Sequence, residues 1–209
     1  MRRQTWTAPL VWLAVVTVAG AMSLLGARPA AACGNAVLSQ EDRVLRVKKA
    51  ETLLATGHYR KAARLVRSLF TFLRLPPQEK FRPLFFPAQR VLALAVVRSG
   101  GSVDYHGAHS HEENLTWARN RLAAHHELWP NEPAITAAYA EGLATTSPNQ
   151  AGALLHDLDA RDVLPTAAGY ATWSRLAADS GDPITYAYAQ FRCRAIVKSE
   201  SSICDPVTS

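Results

Sequence analysis

Residues 48–66, KKAETLLATGHYRKAARLV, carry the pattern that decides the fold. Before Gly57, apolar side chains recur at three- and four-residue intervals, as at Ala50 and Leu54. After Gly57 the same interval returns at Ala62 and Val66. This period places the apolar residues on one face of an α-helix on each side of the glycine, which can adopt the left-handed conformation that ends a helix. The stretch therefore predicts a helical hairpin.

The hairpin also contains a combination of residues at fixed spacing: Ala50, Leu53, Gly57, Tyr59 and Ala62. This combination resembles the tetratricopeptide repeat, in which small residues let two paired helices approach closely. The resemblance implies an all-α, TPR-like protein, a right-handed array of about four helical hairpins that forms an α-solenoid.

A repeat of about 34 residues should place further turns at regular positions. Candidate turns lie near Glu113-Asn114, Ser147-Pro148-Asn149 and Gly181-Asp182-Pro183, so that 113, 147 and 181 are spaced by 34. The step from Gly57 to 113 is longer by about 22 residues, so we expect an irregular insertion over about 75–112.

Apolar periodicity, prolines and glycines predict the remaining helices. The first hairpin extends from Glu41 to Leu73, and later helices cover 87–99, 115–128, 133–143, 150–160, 166–178 and 183–198. Residues 102–112 have no apolar periodicity and are predicted to form a loop. The sum is about eight helices in four pairs, with no convincing strand.

The first 32 residues have the three parts of a secretory signal peptide. Arg2 and Arg3 are followed by an apolar run without charge up to Arg28, and the small residues Ala30–Ala32 offer a cleavage site. The run is also long enough for an uncleaved membrane anchor. We expect cleavage, which leaves residues 33–209 as the TPR-like helical repeat domain.

Three cysteines support export. Cys193 and Cys204 are spaced so that they can form a disulfide in an oxidising compartment, which leaves Cys33 unpaired. Residues 30–34 resemble a bacterial lipobox, in which the cysteine is acylated and becomes the new N-terminus. The resemblance implies lipidation of Cys33, although Ala30 replaces the usual Leu or Val. An ordinary cleavage site before a free or intermolecular thiol is the alternative.

A polar cluster at residues 104–113 contains three histidines and three carboxylates. His106, His109 and His111 could supply nitrogen ligands to a divalent metal. Because the spacing matches no defined metal motif, a solvated surface loop is the favoured interpretation and the metal site is the alternative.

Composition and missing motifs exclude several classes of function. The chain has no Gly-x-Ser-x-Gly, no His-Glu-x-x-His and no glycine-rich phosphate loop, so we predict that it is not an enzyme and needs no cofactor. Three of its six net positive charges lie in the leader, at Arg2, Arg3 and Arg28. The remaining excess of +3 forms no basic stripe and argues against nucleic acid.

Repeat arrays offer extended surfaces, and these are suited to binding. The first helices of the later pairs carry small residues beside Glu141 and Arg175, which are candidate groove residues. We therefore expect a scaffold that mediates protein–protein interaction with an unidentified protein or peptide. It would be exported to the bacterial cell envelope, in the periplasm or at the outer membrane, and held there by the lipid on Cys33. An envelope metal-binding protein that uses residues 104–113 is the alternative, and an enzyme accessory or transferase is a third possibility.

Overall fold

A computed structural model of the chain describes residues 39–69, 82–105, 107, 109–197 and 202–205. The expected signal peptide, Cys33, His106 and the first part of the expected insertion, residues 75–81, lie outside these ranges. All regular structure within the described residues is helical, which confirms the all-α class. No helix in this part of the chain combines the length and the apolar character needed to cross a bilayer.

Within the described residues, eight α-helices form four consecutive pairs. They are α1 Gln40–Ala55, α2 Tyr59–Leu69, α3 Arg82–Arg98, α4 His111–Leu128, α5 Pro133–Leu143, α6 Pro148–Ala160, α7 Ala167–Asp179 and α8 Pro183–Ile196, followed by a short 3-10 helix, Ser202–Cys204. We refer to α1, α3, α5 and α7 as the first helices of the pairs.

The turn chemistry explains most of the helix boundaries. Gly57 has a φ of 77° between α1 and α2, and Gly181 has a φ of 74° between α7 and α8. Pro133, Pro148 and Pro183 stand at the starts of α5, α6 and α8, where a missing amide proton costs nothing. These boundaries lie where the sequence predicts them, to within two residues.

The prediction of a turn at Glu113-Asn114 is wrong. Ser110 begins α4 with a capping box: its hydroxyl accepts from the Glu113 amide, and the Glu113 carboxylate accepts from the Ser110 amide. Residue 113 therefore lies in the first turn of α4, and the predicted loop 102–112 ends at Ser110. The chain turns earlier, at Gly100 and Gly101. The 34-residue spacing therefore holds only between the last two turns.

The start of α3 also differs from the prediction at Pro87. The helix begins five residues earlier, at Arg82, and contains Pro87 in its interior. A proline there removes one helical hydrogen bond. Phe85 is buried against the core, and this burial offsets the loss by holding the extra turn in place.

The helices pack in a repeating manner. Each first helix contacts the first helix of the next pair, as well as its own partner, and each second helix contacts the first helix that follows it. Ala50 and Ala62 are fully buried where α1 meets α2, which allows the close approach that their methyl groups predict. The four pairs therefore share a continuous core.

Candidate functional site

The first helices together line a cavity of about 460 Å³, which we call the inner groove. Small or apolar residues dominate its walls. From α1, α3, α5 and the start of α7 these include Leu54, Ala55, Val91, Leu94, Ala134, Ala137, Ala138, Ala167 and Ala168. The last helix and the segment after it complete the lining with Ile196, Val197 and Ile203.

Helical periodicity explains why α5 contributes as it does. Ala134, Ala137, Ala138 and Glu141 are spaced by three and four residues, so they share one face of the helix. The sequence predicts this small-residue surface, and Glu141 lies in the groove. Arg175 is exposed on α7 and is not among the described residues that line the groove.

A buried ion pair joins two of the first helices at the groove. The Arg98 guanidinium on α3 donates from Nε to Oε2 of Glu141 at 2.7 Å and from Nη2 to Oε1 at 2.8 Å. The two side chains are only 11% and 4% exposed. Arg98 Nη1 also lies 3.5 Å from the Leu54 carbonyl oxygen of α1. Arg98 therefore ties α1, α3 and α5 together.

The contacts with Glu141 favour the charged form of the Arg98 guanidinium. Burial acts to lower the pKa of Arg98, but the charge and hydrogen bonds of Glu141 outweigh burial and raise that pKa above its ordinary value. Sequence reasoning missed Arg98. The sequence feature that could have identified it is its position: Arg98 is the charged residue directly after the apolar run 91–97.

A second ion pair stands at the edge of the groove. Arg90 Nη2 donates to Glu51 Oε1 at 3.2 Å, and both side chains are partly exposed. Among the described residues of the lining, the four charged ones are thus matched as two pairs. Because each charge has an opposite partner, the groove suits an uncharged, apolar ligand better than a charged one.

A second cavity, of about 570 Å³, lies beside α3 and α4 and has aromatic walls at Phe86 and Trp129. His125 borders it and is only 3% exposed, with Nε2 placed 2.9 Å from Oε1 of Gln89. Burial, with the nearby charges of Arg90 and Arg121, lowers the pKa of His125 to about 4. The imidazole is therefore neutral near pH 7.

The histidine-containing cluster is organised by stacking and hydrogen bonds. The ring of Tyr105 stacks on His109 at 4.8 Å and on Trp117 at 4.5 Å. Asn114 donates to Asp104 Oδ1, and this bond does most to lower the pKa of the Asp104 carboxyl.

The same cluster was the expected metal site. His111 lies exposed in the first turn of α4. Among the residues that the structure describes, no three potential ligands come together around a common point. His106, the other candidate ligand, is outside those residues.

The two cysteines near the C-terminus meet as their spacing predicts. The sulfurs of Cys193 and Cys204 are 2.07 Å apart, and both residues are buried. The pair ties α8 to the 3-10 helix that carries Ile203, a residue of the groove lining.

Comparisons with protein-family models, with characterised proteins and with solved structures found no match to this chain.

Proposed function

We propose that this chain is a non-enzymatic scaffold that binds an extended, uncharged and mostly apolar peptide segment of a partner protein in the inner groove. The observation that carries the proposal is the alignment of the first helices around one cavity lined by small apolar residues. A volume of about 460 Å³ is within the range of ligand sites in proteins.

The chemistry of the lining supports a peptide rather than a small charged metabolite. Alanines at positions 55, 134, 138 and 167 leave room for a peptide backbone to approach the helices. Arg98 and Glu141 neutralise one another in the groove lining. Their ion pair also holds α3 and α5 in fixed positions, which lowers the entropy cost of binding a peptide.

The packing of the helices supports a TPR-like, right-handed array. In such a solenoid, neighbouring repeats stack so that equivalent helices lie side by side and form one continuous surface. The successive contacts of α1, α3, α5 and α7 fit this arrangement.

Export to the bacterial cell envelope completes the proposal. The disulfide suits an oxidising compartment, and the leader with Cys33 would deliver and tether the scaffold. Mass spectrometry of the mature N-terminus tests this part. We expect a diacylglyceryl-modified Cys33 as the first residue, and a mature chain that retains residues 1–32 would contradict export with cleavage.

Selection from a displayed library of random peptides tests groove binding. We expect enrichment of apolar peptides and about tenfold or greater loss of affinity in Ala134→Trp, because the indole fills the groove. Ala160→Trp is the matched control, since Ala160 is exposed on α6 outside the lining. Equal binding by both variants, each folded by circular dichroism, would contradict the proposal.

A further inference from the structure

The end of α8 and the segment after it form one wall of the inner groove. Ile196, Val197 and Ile203 line the cavity, together with Ala167 and Ala168 at the start of α7. We call these three residues of the C-terminal region the tail wall.

Hydrophobic packing and a covalent bond hold the tail wall. Cys204 is 3% exposed and belongs to the core cluster that includes Ala137 and Tyr170. Val197 and Ile203 pack against this cluster from its edge. Cys193 of α8 is disulfide-bonded to Cys204, eleven positions along the chain.

The cavity remains open with Ile203 in its lining. The cavity has a volume of about 460 Å³ with Ile203 as one of its lining residues, so Ile203 bounds the space and does not fill it. Val197 and Ile203 are therefore part of the groove wall and do not occupy the groove.

We propose that the Cys193–Cys204 disulfide positions a specificity-determining wall of the groove, and that breaking it weakens peptide binding while the helical pairs stay folded. The inference rests on the proposed function. Ile203 sits one residue before Cys204, so the crosslink restricts where its side chain can go. Without the bond, ordering the tail against a ligand costs additional conformational entropy.

Two variants of the full-length protein test this inference. Cys193→Ala/Cys204→Ala removes the crosslink without leaving a free thiol at either position, and Ile203→Ala removes the wall side chain while keeping the disulfide. Ile184→Ala is the matched control, because Ile184 is 81% exposed on α8 and outside the groove lining. The probe is the apolar peptide enriched from the displayed library.

Peptide affinity and backbone hydrogen exchange are measured at a temperature where circular dichroism shows every variant folded. We expect about tenfold weaker binding in the double cysteine variant, about threefold to tenfold weaker binding in Ile203→Ala, and less than twofold change in Ile184→Ala. Amide exchange should quicken in the 3-10 helix and at the start of α7, and remain unchanged in α1 and α2.

The failures of this inference and of the proposed function are distinguishable. Unchanged or tighter peptide binding by the double cysteine variant would overturn the inference alone, since the groove would then work without the positioned wall. Unchanged amide exchange in the 3-10 helix Ser202–Cys204 would also overturn it. Absence of any peptide binding by the unsubstituted protein would overturn the proposed function and, with it, the inference.

Discussion

Arg98 is a charged residue at the end of an apolar helix, and its contacts determine how three of the first helices are held together. Glu141 is identifiable from the sequence as a polar residue on a small-residue face, and it does lie in the groove. Its buried guanidinium partner is 43 residues away in the chain. Ion pairing at that separation depends on how α3 packs against α5, which no local pattern encodes.

Removing one member of this pair should be costly. Glu141→Ala leaves the Arg98 charge buried without its partner, and we expect a loss of about 3 kcal/mol in the free energy of unfolding by urea. Glu51→Ala breaks the more exposed pair with Arg90 and should cost less than about 1 kcal/mol. Equal losses in the two variants would show that the buried pair has no special role in stability.

His125 should make stability depend on pH. Its folded pKa of about 4 lies below the ordinary value of 6.5, so the unfolded chain takes up a proton first as pH falls. The stability contributed by the neutral ring is present above pH 6.5 and is lost toward pH 4.

We expect His125→Gln to flatten this dependence. The difference in free energy of unfolding between pH 7 and pH 5 should shrink by about 2 kcal/mol relative to the unsubstituted protein. Denaturation at both pH values measures it, with exposed His58→Gln as the control. If His125→Gln keeps the full pH dependence, a group other than His125 is responsible for it.

At the scale of helices and turns, prediction from sequence succeeds where the chemistry is local. Gly57 and the prolines that open α5, α6 and α8 act through their own backbone, so their positions could be assigned correctly. Apolar periodicity places the start of this helix at residue 115 instead of His111, because the first turn of α4 has no apolar periodicity. The sequence feature that indicates a helix start at this position is the capping box of Ser110 and Glu113. It begins the helix within the stretch that is predicted to be a loop.

The turn between α3 and α4 offers a test at this scale. Gly100 and Gly101 both have positive φ, but a Cβ at Gly101 would overlap the backbone carbonyl of His111, whereas one at Gly100 meets nothing. We expect Gly100→Ala to cost about 1 kcal/mol from backbone strain alone. Gly101→Ala should cost at least about 2 kcal/mol more in urea unfolding, because the start of α4 must shift. Similar losses for both would contradict the close approach.

At the scale of the whole molecule, the helical class and the four pairs follow from periodicity in the sequence. The inner groove cannot be predicted from that periodicity. It depends on the contacts between successive first helices and on the segment after α8, which the disulfide brings to the lining. Arg175 shows why periodicity alone does not predict the groove lining. It lies on a first helix, as expected, yet it is exposed and is not among the described residues of the lining.

The molecule has a second exposed apolar surface, apart from the inner groove, to which a peptide can bind. Ile184, Tyr188 and Phe191 form an exposed apolar stripe on α8, on residues that do not line the inner groove. Ile184 and Phe191 are 81% and 70% exposed on this stripe, so a method that locates the peptide on the surface is needed.

Methyl nuclear magnetic resonance during titration with the enriched peptide measures the location directly. We expect the largest shifts at the methyl groups of Ala134, Ala138 and Ile203 in the inner groove. Largest shifts at Ile184 on the α8 stripe, with the groove methyl groups unmoved, would contradict peptide binding in the inner groove.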